Sequence, residues 1–106
     1  RSEVLKDEKL SERALTLGNV FRDRLKALNM PWVKNVRGKG LLNAVEIDPN
    51  HKFTALKICL ELAQKGLLAK PTHGHIIRFA PPLVISETDL IKGCDIIIET
   101  FRQHDG

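Results

Sequence analysis

Apolar residues recur at steps of three and four along the first third of the chain, which predicts a long helix from about Leu10 to Leu28. The residues expected on its buried face are Leu10, Ala14, Leu17, Phe21, Leu25 and Leu28. Pro31 closes the pattern, because proline cannot continue the hydrogen-bond ladder of a helix. The run from Ser2 to Leu5 is interpreted as the tail of an earlier helix.

Two β-compatible runs follow this helix, from Trp32 to Arg37 and from Leu41 to Ile47. Gly38-Lys39-Gly40 lies between them and supplies the backbone freedom that a tight bend or bulge needs. A bare G-x-G that does not open a helix is weak evidence for a phosphate site, so this bend is interpreted as structural. Asp48-Pro49-Asn50 then marks a turn.

The next pattern is a second helix from about Thr54 to Lys65, with Gly66 as the residue that ends it. Its predicted buried face comprises Phe53, Leu56, Cys59, Leu60 and Ala63. Two short strands are predicted beyond it, from Leu67 to Ala69 and from His75 to Phe79. The residues between them, Lys70 to Gly74, are predicted to form a loop.

The last helix has a distinct start, because Ser86 can cap it and Asp89 three residues later completes a capping-box pattern. Its predicted core stripe comprises Leu90, Cys94, Ile97, Ile98 and Phe101. Gly93 costs about 1 kcal/mol relative to alanine inside a helix, which suggests close packing at that point. The order of elements predicts a two-layer α+β domain, with a small, mostly antiparallel sheet and helices on one face.

Composition narrows the classes of function. A chain of 106 residues is one domain's worth, and no apolar run approaches the roughly 18 residues needed to span a bilayer. The net charge is +4, but lysine and arginine are spread along the chain, so no nucleic-acid surface is predicted. The start at Arg1 has no initiator methionine and no targeting segment, so we expect the chain to begin partway through a longer protein.

Cysteine and histidine offer no strong candidate for a metal or redox site. Cys59 and Cys94 form no C-x-x-C and lie in apolar helical patterns, so we expect two buried, reduced thiols in a reducing compartment. His73 and His75 share a loop, but no acidic or cysteine partner lies nearby in the sequence. They are therefore interpreted as surface histidines, and no metal site is predicted.

Arg78 is the sharpest candidate for a binding residue. It lies in the apolar run Ile76 to Leu83, where a guanidinium is costly unless it points to water or meets an anion. An arginine at the edge of a cleft is suited to holding a carboxylate through two parallel hydrogen bonds. Periodicity alone leaves open whether Arg78 binds a ligand or is only solvated.

Three segments carry a resemblance to a known family. VRGKGLLNA, residues 36–44, resembles the start of the C-terminal domain sheet in class III aminotransferases. GLLAKPTHG, residues 66–74, followed by IIRFAPPL, residues 76–83, resembles the ornithine aminotransferase branch of that class. The R-G-x-G-L and R-x-x-P-P-L elements identify only the class, and the L-A-K-P-T-H-G stretch is more specific. His75 departs from the pattern, in which an acidic residue is common at that position.

The resemblance implies the C-terminal small domain of a fold-type I enzyme that acts as a homodimer or higher oligomer. It implies pyridoxal phosphate held by a large domain that this chain lacks, and transfer of the δ-amino group of ornithine to 2-oxoglutarate, giving glutamate semialdehyde and glutamate. Arg78 matches the family's ligand for a substrate carboxylate. No cofactor-binding or catalytic residue is expected in this chain, and Lys39 and Lys70 match no cofactor lysine.

Two alternative hypotheses about the function remain open at this point. Acetylornithine and 4-aminobutyrate aminotransferases share the class elements, and residues outside this chain would distinguish them. A free-standing α/β interaction module without catalysis is a different class of function. The expected partners are the small-molecule substrates, with no nucleic acid and no membrane, and the expected compartment is the cytoplasm or the mitochondrial matrix.

Overall fold

The computed structural model describes residues 2–81 and 85–105, with the side chains described from residue 11 onward. Its elements, in chain order, are α1 (Ser2–Leu25), β1 (Val33–Lys39), β2 (Leu42–Ile47), α2 (Ala55–Gln64), β3 (Lys70–Thr72), β4 (Ile76–Phe79) and α3 (Glu87–Gln103). The strands form one sheet in the order β1-β2-β4-β3, and every neighbouring pair is antiparallel. The predicted α+β class with a small antiparallel sheet is confirmed.

One face of the sheet is covered by helices and the other is open. The side chains of Val45, Ile47, Ile77 and Phe79 point to the covered face and are almost completely buried. The predicted stripe of α3 is confirmed, because Leu90, Cys94, Ile97, Ile98 and Phe101 all join this core. The core also contains Leu17, Phe21 and Leu25 of α1, and Leu28 just beyond the end of that helix. The side chain of Leu10 lies outside the described residues.

The predicted limits of the first helix are wrong at both ends. The backbone is helical from Ser2 without a break, since residues 2–10 contain neither proline nor glycine, so there is no separate earlier helix. The helix ends at Leu25 rather than Leu28. Its last residues tighten into a turn, in which the amide of Ala27 donates to the carbonyl of Arg24 at 3.1 Å.

The predicted buried face of α2 is also wrong in part. Cys59 is buried as expected, but it shares the core with Ala55, Ile58 and Leu62. Leu56 and Leu60 are each 55% exposed. The helix carries apolar residues on two sides, and the pattern alone does not say which side meets α3 and the sheet.

The end of α2 explains why β3 begins later than predicted. Gly66 has a φ of 88°, and its amide donates to the carbonyl of Ala63, while the amide of Leu67 donates to that of Leu62. This paired cap occupies Leu67, so the chain reaches the sheet only at Lys70. The segment predicted as a loop therefore supplies an edge strand, where Pro71 is tolerated because edge positions do not all need a backbone donor.

The two cysteines are free and buried, as the sequence predicts. Burial raises the pKa of the Cys59 thiol to about 11, and it does the same for Cys94. Both thiols are therefore protonated and poorly nucleophilic near neutral pH. Neither residue takes part in the candidate site described below.

Candidate functional site

The R-G-K-G segment ends β1, and its last glycine, Gly40, begins the hairpin turn to β2. Gly40 has a φ of 58°, and Lys39 pairs with Leu42 across a loop of two residues. A glycine at the first position of such a loop fits the tight turns that join antiparallel strands. A side chain at Gly38 would lie 2.4 Å from the carbonyl oxygen of Leu42, which no real side chain tolerates. Both glycines are needed for the turn, which supports the structural interpretation of this segment.

Helix α1 fixes this hairpin from the covered side. The Nη1 atom of Arg22 donates to the carbonyl of Gly40 at 2.9 Å and to Oδ1 of Asn43 at 2.6 Å, and its Nη2 atom donates to Oδ1 of Asn19 at 3.0 Å. Gly18 lies so close to the turn that an added Cβ would be 1.9 Å from the Gly40 carbonyl oxygen. The edge of the open face is therefore rigidly positioned.

A row of four residues crosses the open face of the sheet. The strand register pairs Arg37 with Ala44, Ala44 with Arg78, and Arg78 with Lys70. Directly opposite residues on antiparallel strands project from the same face. Arg37 therefore lies on one side of the small Ala44 side chain, and Arg78 and Lys70 lie on the other side. Arg78 is exposed between the buried residues Ile77 and Phe79, which confirms that it alternates away from the core.

The row forms part of a hollow of about 860 Å³ on the open face. Its lining residues are Arg37, Gly38, Lys39, Leu42, Asn43, Ala44, Leu68, Ala69, Lys70, Arg78, Phe79 and Ala80. Four of these residues are cationic and none is acidic. Leu68, at the edge of the hollow, is 87% exposed. We call this concavity the cationic hollow.

Only one of the four cations has an acidic partner within the described part of the chain. Nη1 of Arg37 lies 3.0 Å from Oε1 of Glu46, and the other oxygen of Glu46 lies 3.8 Å from Nε2 of His75. Arg78, Lys39 and Lys70 have no hydrogen bond or ion pair to any residue described here. The side chain at the centre of the hollow is therefore a guanidinium with all its donors available for a ligand.

The sequence predicted a binding role for one of these residues and for none of the others. Arg78 lines the hollow, and its role as a ligand of a substrate carboxylate remains a prediction. Lys70 was expected in a loop and is instead directly opposite Arg78. Lys39 carried no binding prediction because its position depends on the hairpin. His73 and His75 belong to no group of three metal-ligating side chains among the residues that the structure describes.

A second concavity adjoins the cationic hollow and has the opposite character. It is an apolar groove of about 420 Å³ beside α3, bordered by Leu67, Ile85, Gly93 and Ile96, and it shares Leu68, Phe79 and Ala80 with the hollow. Across the described ranges, no helix is long and apolar enough to cross a membrane.

The family of the chain follows from its similarity to known proteins. Residues 2–101 match the family described as aminotransferase class-III, and the chain belongs to that family. It is 56% identical over 99 residues to a mitochondrial ornithine aminotransferase of Drosophila melanogaster, and 56% identical over 102 residues to an ornithine aminotransferase of Schizosaccharomyces pombe. These alignments cover 93% and 94% of this chain but only 22% and 23% of the relatives.

Solved structures show the same fold. The acetylornithine aminotransferase from Elizabethkingia anophelis is 50% identical, with a TM-score of 0.84, over 95% of this chain and 26% of that protein. An ornithine aminotransferase from Toxoplasma gondii is 45% identical, with a TM-score of 0.83, over 93% of this chain and 24% of that one. The chain thus spans about a quarter of these proteins or less.

Pyridoxal phosphate is the cofactor of this family, and the described residues do not fit it by themselves. The cofactor needs a lysine for covalent attachment, a carboxylate beside its pyridine nitrogen and a surface that orients its ring. The lining of the cationic hollow contains no carboxylate, and its one aromatic residue, Phe79, is buried toward the helices. The residues of this chain are suited to binding an anionic substrate group rather than to holding the cofactor.

Proposed function

We propose that this chain is the C-terminal small domain of an aminotransferase that moves the δ-amino group of ornithine to 2-oxoglutarate. The products are glutamate semialdehyde and glutamate, and a large domain outside this chain supplies the pyridoxal phosphate site. The observation that carries the proposal is the Arg78 guanidinium, which has no partner among the described residues and lies in a hollow whose described lining contains no acidic residue. Its planar fork matches a substrate carboxylate.

The surface around Arg78 supports the idea of a missing domain. Leu42 and Leu68 are 68% and 87% exposed at the hollow, and the apolar groove beside α3 continues from it. Contiguous exposed apolar surface of this kind marks an interface with other protein. When that interface is covered, the hollow becomes a closed site in which water is scarce and the pairing of Arg78 with a carboxylate is stronger.

Substrate preference is tested on the full-length enzyme with its cofactor. Ornithine, N-acetylornithine and 4-aminobutyrate are compared as amino donors at fixed 2-oxoglutarate, and kcat/KM is measured for each. We expect the value for ornithine to be the highest. A higher value for either of the other donors would reassign the enzyme within the class, and no transamination with any of them would support a non-catalytic module.

Acetylornithine aminotransferase is the second candidate, because the Elizabethkingia anophelis protein of that name is 50% identical to this chain over the aligned region. The same donor comparison separates the two activities.

Assembly and location follow the same proposal. We infer a homodimer or higher oligomer of the full-length protein, to be measured by sedimentation.

The relatives from Drosophila melanogaster and Rattus norvegicus carry the word mitochondrial in their names, which favours the mitochondrial matrix over the cytoplasm. Subcellular fractionation would test this location, and two buried reduced thiols suit either compartment.

A further inference from the structure

Two lysines in the cationic hollow have no role in the function proposed above. Lys70 lies directly opposite Arg78 on the neighbouring strand, and Lys39 lies at the hairpin end of β1, two residues beyond Arg37 on the same face. Both side chains are exposed, and neither has an ion pair with any residue in the described ranges. We call Lys39 and Lys70 the lysine rim.

The fold gains nothing from this arrangement of charge. Like charges directly opposite each other on antiparallel strands are unfavourable, and Lys70 and Arg78 form such a pair. Glu46, which is not a lining residue, already pairs with Arg37 and His75, and no acidic residue among those described lines the hollow. Three positive charges without an acidic partner in the described part of the chain therefore face the same space, and they produce a positive potential there.

The two substrates of the proposed reaction respond to that potential in opposite ways. Near neutral pH, ornithine carries two ammonium groups and one carboxylate, and its net charge is +1. The acceptor, 2-oxoglutarate, carries two carboxylates and has a net charge of −2. A concave surface of one sign raises the local concentration of the opposite charge and lowers that of the same charge.

We propose that the lysine rim makes the site selective for the dianionic acceptor at the expense of the cationic donor. This inference rests on the proposed function. In it, Arg78 binds a carboxylate directly, whereas Lys39 and Lys70 act through the potential that they add around it. The rim thus sets the balance between the two half-reactions without contributing to the chemistry of either.

The test uses the full-length enzyme with its cofactor, and each half-reaction is followed separately in single turnovers. Lys39→Met and Lys70→Met remove the charge and keep a side chain of similar length. Lys26→Met, in the exposed turn after α1, is the matched control, because it removes the same charge outside both the hollow and the apolar groove. Lys39→Arg and Lys70→Arg keep the charge and serve as conservative variants.

At low ionic strength we expect each rim variant to lower kcat/KM for 2-oxoglutarate by roughly threefold to tenfold and to raise it slightly for ornithine. The two arginine variants and Lys26→Met should behave as wild type. The contrast should shrink when the salt concentration rises from about 0.01 M to about 0.15 M, since the screening length then falls from about 30 Å to about 8 Å.

If kcat/KM changed in the same direction for both substrates, the proposed role of the lysine rim would be wrong. A contrast between the substrates that does not depend on salt would also contradict it. Rim variants with wild-type kcat/KM for both substrates would contradict the proposal as well. Each of these results leaves the proposed function intact, because the wild-type enzyme still transaminates. Loss of the proposed function itself would appear differently, as a wild-type enzyme that is inactive with ornithine and 2-oxoglutarate.

Discussion

Two arginines of this chain lie near the same hairpin, and they have opposite surroundings. Arg22 is half-buried on the covered side of the sheet, where its guanidinium donates to Gly40, Asn43 and Asn19. Arg78 is exposed on the open side and has no partner among the described residues. One guanidinium is satisfied within the fold, and the other has its donors free.

The difference separates a structural role from a binding role on physical grounds. Donors that are already paired cannot bind a ligand without losing a hydrogen bond, so Arg22 belongs to the scaffold. Free donors in a concave site stabilise nothing within the chain and are available to an anion. Substitutions at the two sites should therefore change different measurements, namely stability at Arg22 and activity at Arg78.

The largest expected effect is that of Arg78→Ala on the full-length enzyme. Removing the guanidinium leaves a substrate carboxylate unpaired, at a cost of about 2–5 kcal/mol. That corresponds to a loss of roughly 30-fold to several thousand-fold in kcat/KM for glutamate, measured in single turnovers. Arg78→Lys should restore little, since an ammonium group keeps the charge but loses the planar fork.

Thermal melting of the same variants provides the control. The position is exposed, so we expect the stability of both variants to stay within about 0.5 kcal/mol of wild type. Near-normal kinetics in both, or a loss of activity that unfolding fully accounts for, would remove Arg78 from the site.

The next effect tests the rigid junction on the covered side. In Gly18→Ala, the new Cβ would lie 1.9 Å from the backbone oxygen of Gly40, so α1 or the hairpin must move. We expect a loss of about 3 kcal/mol in the free energy of unfolding, at the upper end of the cost of overpacking. Urea unfolding followed through the fluorescence of Trp32, the only tryptophan, measures it. An unchanged midpoint would show that the helix does not contact the turn.

Arg22→Met tests the hydrogen bonds at the same junction. Three bonds from a charged donor are lost while the aliphatic stem is retained, so we expect a destabilisation of about 2 kcal/mol. Arg24→Met on the exposed side of the same helix is the matched control and should cost little. Equal effects of the two variants would mean that Arg22 contributes charge alone.

The sequence predicted the parts of this fold that depend on local chemistry. The cap of α3 is one example, since the hydroxyl of Ser86 accepts from the amide of Asp89 at 3.1 Å as the pattern indicated. The hairpin glycines and the buried cysteines are others. Each of these predictions needs only the residues within a turn or two, because backbone geometry and burial periodicity are set over that distance.

What the sequence did not predict depends on contacts between distant segments. The pattern placed Leu56 and Leu60 in the core, whereas Ile58 and Leu62 are the residues buried there, and only the position of α3 and the sheet selects between the two pairs. Lys70 faces Arg78 only through the strand register, which the cap at Gly66 delays by three residues. The cationic hollow is assembled across four strands, so its composition could not be obtained from any one segment.

The smallest expected effect concerns Gly93, and it has the opposite sign. The sequence suggested close packing at this glycine, but the nearest atom to an added Cβ is Cδ1 of Leu67 at 3.5 Å, which is ordinary contact. Gly93→Ala should therefore stabilise the chain by about 0.5–1 kcal/mol, because alanine loses less backbone entropy in a helix. Gly66→Ala is the matched comparison, since its φ of 88° strains any residue with a side chain, although nothing lies within 4 Å of the added atom. We expect that variant to lose about 1 kcal/mol. Urea unfolding of the two variants should thus move the midpoint in opposite directions, and a destabilised Gly93→Ala would mean that the groove beside α3 is filled in solution.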